Sequence, residues 1–331
     1  MSDQHVIAEH LPTMSARLAG RNLWFLLFWF LSLIPFHLPL SSLVSLSFHD
    51  ERYSHVVLIP IISLLLLWLE RRRIFLESQY CPVVGTPLLL LGMVVYFIGK
   101  ASAPALGLND SLSVMVFGMV LVWIAGFVLC YGMRSFHAAL FPLFFLLLMI
   151  PIPTLVLDNT VLALQKGSSQ VTYALFKLLG VPVFWQGFKF SLPGVEIEIA
   201  KECSGIRSSL ALFITGILAA HVFLRSGWRM IVLSLSTIPL AIFKNAVRIV
   251  TLSWLGVYVD RSFLFGRLHR QGGILFALIA LAIFVPLLLV LQKSESRAQM
   301  RRLRPYSSTN EKTGPTSLSA RAADPSAETA S

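Results

Sequence analysis

The chain has 331 residues, 56% hydrophobic and 13% charged, with a formal net charge of +11 and a mean hydropathy of +0.75. A water-soluble chain of this size has nowhere to bury so much apolar surface, so lipid is the expected solvent. The excess Lys and Arg flank apolar runs, which makes them topology signals and argues against nucleic acid as a partner.

The apolar residues come in separated runs of about 20, each long enough to cross a hydrocarbon core of roughly 30 Å at 1.5 Å per residue. Eight spans are expected, at about 22–44, 53–69, 84–103, 112–131, 138–155, 204–223, 229–245 and 272–292. The first is longer than a signal-peptide apolar region and lacks a small-x-small cleavage site, so it counts as a span. With Arg17 and Arg21 in the cytoplasm, Arg71 to Arg73, Arg134, Arg225, Arg229 and the basic C-terminal segment all fall on that side too. Residues 1–21 are then a cytoplasmic N-terminus and 22–292 a membrane domain. Residues 293–331 form a basic, disordered cytoplasmic tail, too poor in large apolar groups to offset its ordering entropy. Arg301, Arg302 and Arg304 within it suit an anionic lipid surface. The predicted fold class is an all-α polytopic membrane protein of about eight transmembrane helices with a short external β-hairpin.

The longest external segment, about 156–202, has two parts. Leu157, Val161, Leu164, Val171, Leu175 and Leu179 recur at helical spacing, which predicts a helix lying in the interface. After Gly180 and Pro182 the period falls to two. Phe188, Phe190 and Leu192, the Pro193-Gly194 turn, then Val195, Ile197 and Ile199 predict a hairpin that leads directly to Cys203.

Three cysteines, Cys81, Cys130 and Cys203, with no CxxC and no His at metal-ligand spacing, give no zinc site or disulfide framework. No cofactor is expected. Cys81 and Cys130 read as small core hydrophobes. Cys203 stands in Glu202-Cys-Ser-Gly-Ile-Arg207, at the start of the sixth span, where helix N–H groups and the positive end of the dipole favour a thiolate. Arg207 adds to that and Glu202 opposes it. About 20 residues after the following loop, Phe243-Lys-Asn-Ala-Val-Arg-Ile249 returns Asn245 and Arg248 to the depth of Cys203. A guanidinium there either snorkels to phosphate or donates to an oxyanion. His269, in Gly266-Arg-Leu-His-Arg-Gln-Gly-Gly273, precedes the last span on the same side, where a nucleophile needs a base. The stretch Ile249 to Arg270 is held outside, because its apolar part is too short to span.

Cys-Ser-Gly-Ile-Arg, Asn-x-x-Arg-Ile and His-x-x-Gly-Gly, in this order and separated by apolar runs, resemble the three signature blocks of the exosortase and archaeosortase family. Tyr53-Ser-His-Val-Val-Leu-Ile-Pro60 and Met149-Ile-Pro-Ile-Pro153 are similar to earlier segments of it. Val56 stands where the family commonly has a smaller residue. The resemblance covers about residues 50–292 and implies Cys203 as nucleophile, Arg248 as oxyanion-stabilising cation and His269 as base, with Ser204, Gly205, Arg207 and Asn245 in support. His269 points to the bacterial branch. What the family implies is cleavage or transpeptidation of exported proteins ending in a PEP-type motif, a transmembrane helix and a basic cluster. Its site is the outer face of the cytoplasmic membrane. The rival class, a small-molecule or lipid transporter, would show repeated halves and polar groups at mid-membrane depth. No HExxH metalloprotease motif occurs.

Overall fold

A computed structural model describes residues 20–76, 78–260, 262 and 273–310, with the side chains of Glu202, Cys203, Ile274 and 301–310 left out. Its elements in chain order begin with α1 (Gly20–Leu33), α2 (His37–His49), a 3₁₀ turn (Glu51–Tyr53), α3 (Leu58–Leu69), α4 (Arg71–Ile74), α5 (Pro82–Ala101) and α6 (Ala103–Leu106). There follow α7 (Leu108–Ala138), α8 (Leu140–Phe145) with a 3₁₀ turn (Leu146–Met149), α9 (Thr154–Leu178), and strands β1 (Phe184–Gln186), β2 (Lys189–Leu192) and β3 (Val195–Glu198). The last part comprises a 3₁₀ turn (Lys201–Ser204), α10 (Ile206–Phe223), α11 (Gly227–Tyr258) and α12 (Gly273–Asn310). Among the described residues, six helices are long and apolar enough to cross a membrane, and two bent pairs raise the number to eight if each pair is one span. The chain is an all-α polytopic membrane protein with a small antiparallel sheet.

The bent pairs replace two of the straight spans expected from run length. In the first, α1 and α2 meet at 76° around Pro35, whose ring disfavours helix in the preceding residue. In the second, α8 with its 3₁₀ extension meets α9 at 89°, because Pro151 and Pro153 supply no N–H to continue the helix. The break is built rather than frayed. Ser113 Oγ donates to the Pro151 carbonyl at 2.8 Å and Asn109 Nδ2 to the Ile152 carbonyl at 3.0 Å. Asp110 Oδ1 accepts the Thr154 N–H at 2.6 Å, standing in for an N-cap. The fifth expected span, 138–155, is therefore a short helix and a corner, and α9 leaves it crosswise to pack on α11.

α7 is the most buried span. Gly85, Gly92 and Gly99 of α5, each seventh residue, lie against Leu129, Val122 and Met115 of α7, and a Cβ at Gly92 would stand 2.9 Å from the Val122 nitrogen. Small residues at this spacing let two backbones approach closely where lipid supplies no hydrophobic drive.

α11 differs from its expected form. It does not stop near Asn245 but continues unbroken to Tyr258, 32 residues in all. At 1.5 Å per residue that is about 48 Å, more than a bilayer core of roughly 30 Å, so one end projects past the hydrocarbon. The extension is covered by protein. Ile249 and Val250 pack with Phe176 of α9 and with Phe190, Leu192 and Ile199 of the sheet segment. The strands run in the order β1-β2-β3. The β2–β3 register pairs Phe190 with Ile197 and Leu192 with Val195, the alternation read from sequence. β1 pairs Trp185 with Phe190; its three residues between Pro182 and Gly187 were too few to show a period.

Candidate active site

The sheet hands the chain to the turn Lys201–Ser204, and Gly205 then starts α10. Gly205 has φ +77°, and a Cβ there would lie 2.9 Å from Asn245 Oδ1. Only glycine meets both constraints. The first two signature blocks are thus in direct contact, Gly205 of one under the Asn245 amide of the other. The Gly205 carbonyl accepts the Ser209 N–H at 2.9 Å and the hydroxyls of Ser208 at 3.1 Å and Ser209 at 2.8 Å. This closes the first turn of α10 and leaves the N–H groups of Ile206, Arg207 and Ser208 without intrahelical acceptors. Cys203 lies on the backbone of the 3₁₀ turn, two residues before the cap, rather than in the helix itself. Its side chain lies outside the described residues, as does the whole of His269.

Two helices hold this turn. From α9, Gln165 Nε2 donates to the Ile199 carbonyl at 2.9 Å, just before the turn, and Ser168 Oγ accepts from Asn245 Nδ2 at 3.1 Å, just behind Gly205. From α11, the Lys244 ammonium donates to Ser208 Oγ. Arg248 is half-buried one turn beyond Lys244, on the same face. Ser204 is buried, and its Oγ has no hydrogen-bond partner among the described residues. Arg207 takes a different course. It is exposed and pairs with Glu51 of the 3₁₀ turn after α2, so its charge is shared with a carboxylate at the surface. The same Glu51–Tyr53 turn packs against α10, bringing the early block to this end of the molecule.

Of the residues expected from sequence, the structure brings Ser204, Gly205, Asn245 and Arg248 to one region and turns Arg207 outward. Sequence reading passed over Gln165, Ser168, Ser208, Lys244 and Glu51. A signal existed for some of them. Lys244 is an ionisable residue in an otherwise apolar run, and such residues are by default functional. On α9 the buried stripe runs Leu157, Val161, Leu164, Ser168, Thr172 and Phe176, so its middle is polar because it faces the turn and not lipid.

Fold and site together define a polytopic membrane protein with a polar, cation-bearing cluster where a hairpin meets two helices. A family model described as transmembrane exosortase (Exosortase_EpsH) matches residues 45–286, and the chain belongs to that family. It is a membrane-embedded sorting enzyme of the cysteine protease and transpeptidase class, acting on exported proteins. No curated protein and no solved structure matches it.

Proposed function

We propose that this enzyme cleaves PEP-CTERM-type C-terminal sorting signals at the outer face of the bacterial cytoplasmic membrane, with Cys203, Arg248 and His269 as its catalytic residues. The observation that carries this reading is the Gly205–Asn245 contact, since it joins the block bearing Cys203 to the block bearing Arg248. The Cys203 thiolate attacks the scissile carbonyl carbon, and the carbonyl oxygen becomes an oxyanion stabilised by Arg248 and by N–H groups at the start of α10. As the C–N bond breaks, His269 protonates the leaving amine, and a thioester remains. Water then releases the acid, or an amine acceptor takes the acyl group. Lys and Arg flanking the spans put the N-terminal residues 1–21 and the segment from 293 onward in the cytoplasm, and the hairpin outside.

The test is processing of a co-expressed substrate carrying a PEP-type motif, a transmembrane helix and a basic cluster. Cys203→Ala should abolish it with the protein still inserted, while Cys81→Ala and Cys130→Ala should process as wild type. Processing that survives in Cys203→Ala would remove the nucleophile and this mechanism with it.

A further inference from the structure

Lys244 is a buried charged side chain next to the proposed site that the proposed chemistry leaves unused. It is 4% exposed, and an ammonium so far from water is costly without compensating charge or hydrogen bonds. It donates to Ser208 Oγ, and among the described residues no carboxylate forms an ion pair with it. Three donors and one neutral acceptor leave its charge unbalanced. The Ser208 hydroxyl in turn donates to the Gly205 carbonyl at 3.1 Å. The ammonium is therefore two hydrogen bonds from the residue that closes the nucleophile's turn, and its sequence neighbour Asn245 covers that same glycine.

From this placement, and resting on Cys203 as the nucleophile, we infer that Lys244 is a positioning residue. Its buried charge favours the thiolate and then the oxyanion, while its bond to Ser208 fixes the turn that carries the thiol. Other charged or titratable groups on the surrounding elements are Arg248 on α11, the Arg207–Glu51 pair with Arg52 in the same 3₁₀ turn as Glu51, Lys201 and Glu202 in the turn before α10, Asp158, Lys166 and Lys177 of α9, and His221 and Arg229 toward the opposite ends of α10 and α11. Those of α9, with Lys201 and Arg207, are exposed, where water screens them.

The experiment uses the full chain with Cys81→Ser and Cys130→Ser, leaving Cys203 as its one thiol, and follows alkylation by iodoacetamide against pH. Lys244→Met, Lys244→Gln and Lys244→Arg are compared with the parent. A unit charge on the order of 10 Å away, at an effective dielectric of about 20, moves a titration by roughly one pH unit. Both neutral variants should shift the half-maximal rate upward by that amount and slow alkylation about tenfold on the acid side. Lys244→Arg should follow the parent. Gln can still donate to Ser208, so a Gln profile that overlays the parent's would reduce Lys244 to a hydrogen-bond donor and overturn the inference. It also serves if the Met variant does not insert. Processing is scored separately: its survival in Cys203→Ala overturns the nucleophile, whereas unshifted alkylation in both neutral variants overturns Lys244 alone.

Discussion

Two helix seams in this molecule achieve close approach by opposite means. Between α5 and α7 the glycines of one helix lie on the backbone of the other, as where a Cβ at Gly92 would meet the Val122 nitrogen at 2.9 Å and the Gly118 carbonyl oxygen at 3.0 Å. Where α9, α10 and α11 meet, the glycine lies under a side-chain amide, and Gln165, Ser168, Ser208, Asn245 and Lys244 fill the contact with hydrogen bonds. The first seam holds position mainly through packing, with one buried hydrogen bond across it from Ser111 Oγ to the Gly99 carbonyl at 2.9 Å. In the second, Gln165, Ser168, Ser208, Asn245 and Lys244 are paired with one another or with backbone, and one lost partner leaves another stranded at about 1–3 kcal/mol. Under the proposed mechanism, the comparison separates a part that makes the protein fold from a part that makes it act.

The sharpest way to break the comparison is at Arg248. Arg248→Lys should be almost as damaging as Arg248→Ala, because a planar guanidinium presents two aligned donors to an oxyanion and an ammonium is a point charge. Losing such a donor costs roughly 3 to 4 kcal/mol, or about a hundredfold to a thousandfold in processing rate. Rate constants for processing at saturating substrate decide it. Near-wild-type turnover in Arg248→Lys would mean that Arg248 supplies charge alone, like Lys244 beside it.

The paired glycines come next. Gly205→Ala forces a side chain into a left-handed conformation costing about 1–2 kcal/mol and pushes against Asn245. A displacement of about 1 Å at a reacting group costs on the order of a hundredfold, so processing per folded molecule should fall by about that factor. Gly92→Ala should do the reverse. Overpacking there costs about 1–3 kcal/mol, seen as lower folded yield and earlier thermal unfolding in detergent, while the molecules that fold process normally. If both variants lose activity per folded molecule equally, the two seams are mechanically one and the division fails.

Much of this was legible in the sequence, for identifiable reasons. Apolar run length reports lipid contact, and it located most of the spans. Period-two alternation located β2 and β3, and motif order located Gly205 and Asn245. Run length is blind to corners, so the expected spans 22–44 and 138–155 run straight through the breaks at Pro35 and at Pro151 and Pro153. It was equally blind to α11 beyond Asn245. No proline lies between Asn245 and Tyr258, and the protein that covers the projecting end comes from α9 and the sheet, far away in sequence. The helical spacing of α9 predicts an interfacial helix but does not show that its polar middle, Gln165, Ser168 and Ser169, is buried, because polarity in a membrane protein marks a buried site as readily as it marks water.

Arg207 is the smallest effect and the one that most narrowly tests where the functional seam ends. By sequence it stands one turn from Cys203 and should help hold a thiolate. In the structure its guanidinium is exposed and pairs with Glu51, itself exposed, across the 3₁₀ turn that follows α2. Exposed pairs of this kind contribute about 0–1 kcal/mol, and a charge already facing both water and a carboxylate adds little field at a site several residues away. Arg207→Ala should therefore change processing by less than about fivefold, the factor equal to roughly 1 kcal/mol, and Glu51→Gln should be similarly mild. Raising the salt concentration should shrink both effects further, since screening acts on exposed pairs and spares buried ones. Should Arg207→Ala instead match the loss in Arg248→Ala, with Glu51→Gln unchanged, the guanidinium would have to leave Glu51 during turnover and enter the site. The boundary between surface and active centre would then lie one helical turn further out than the resting geometry draws it.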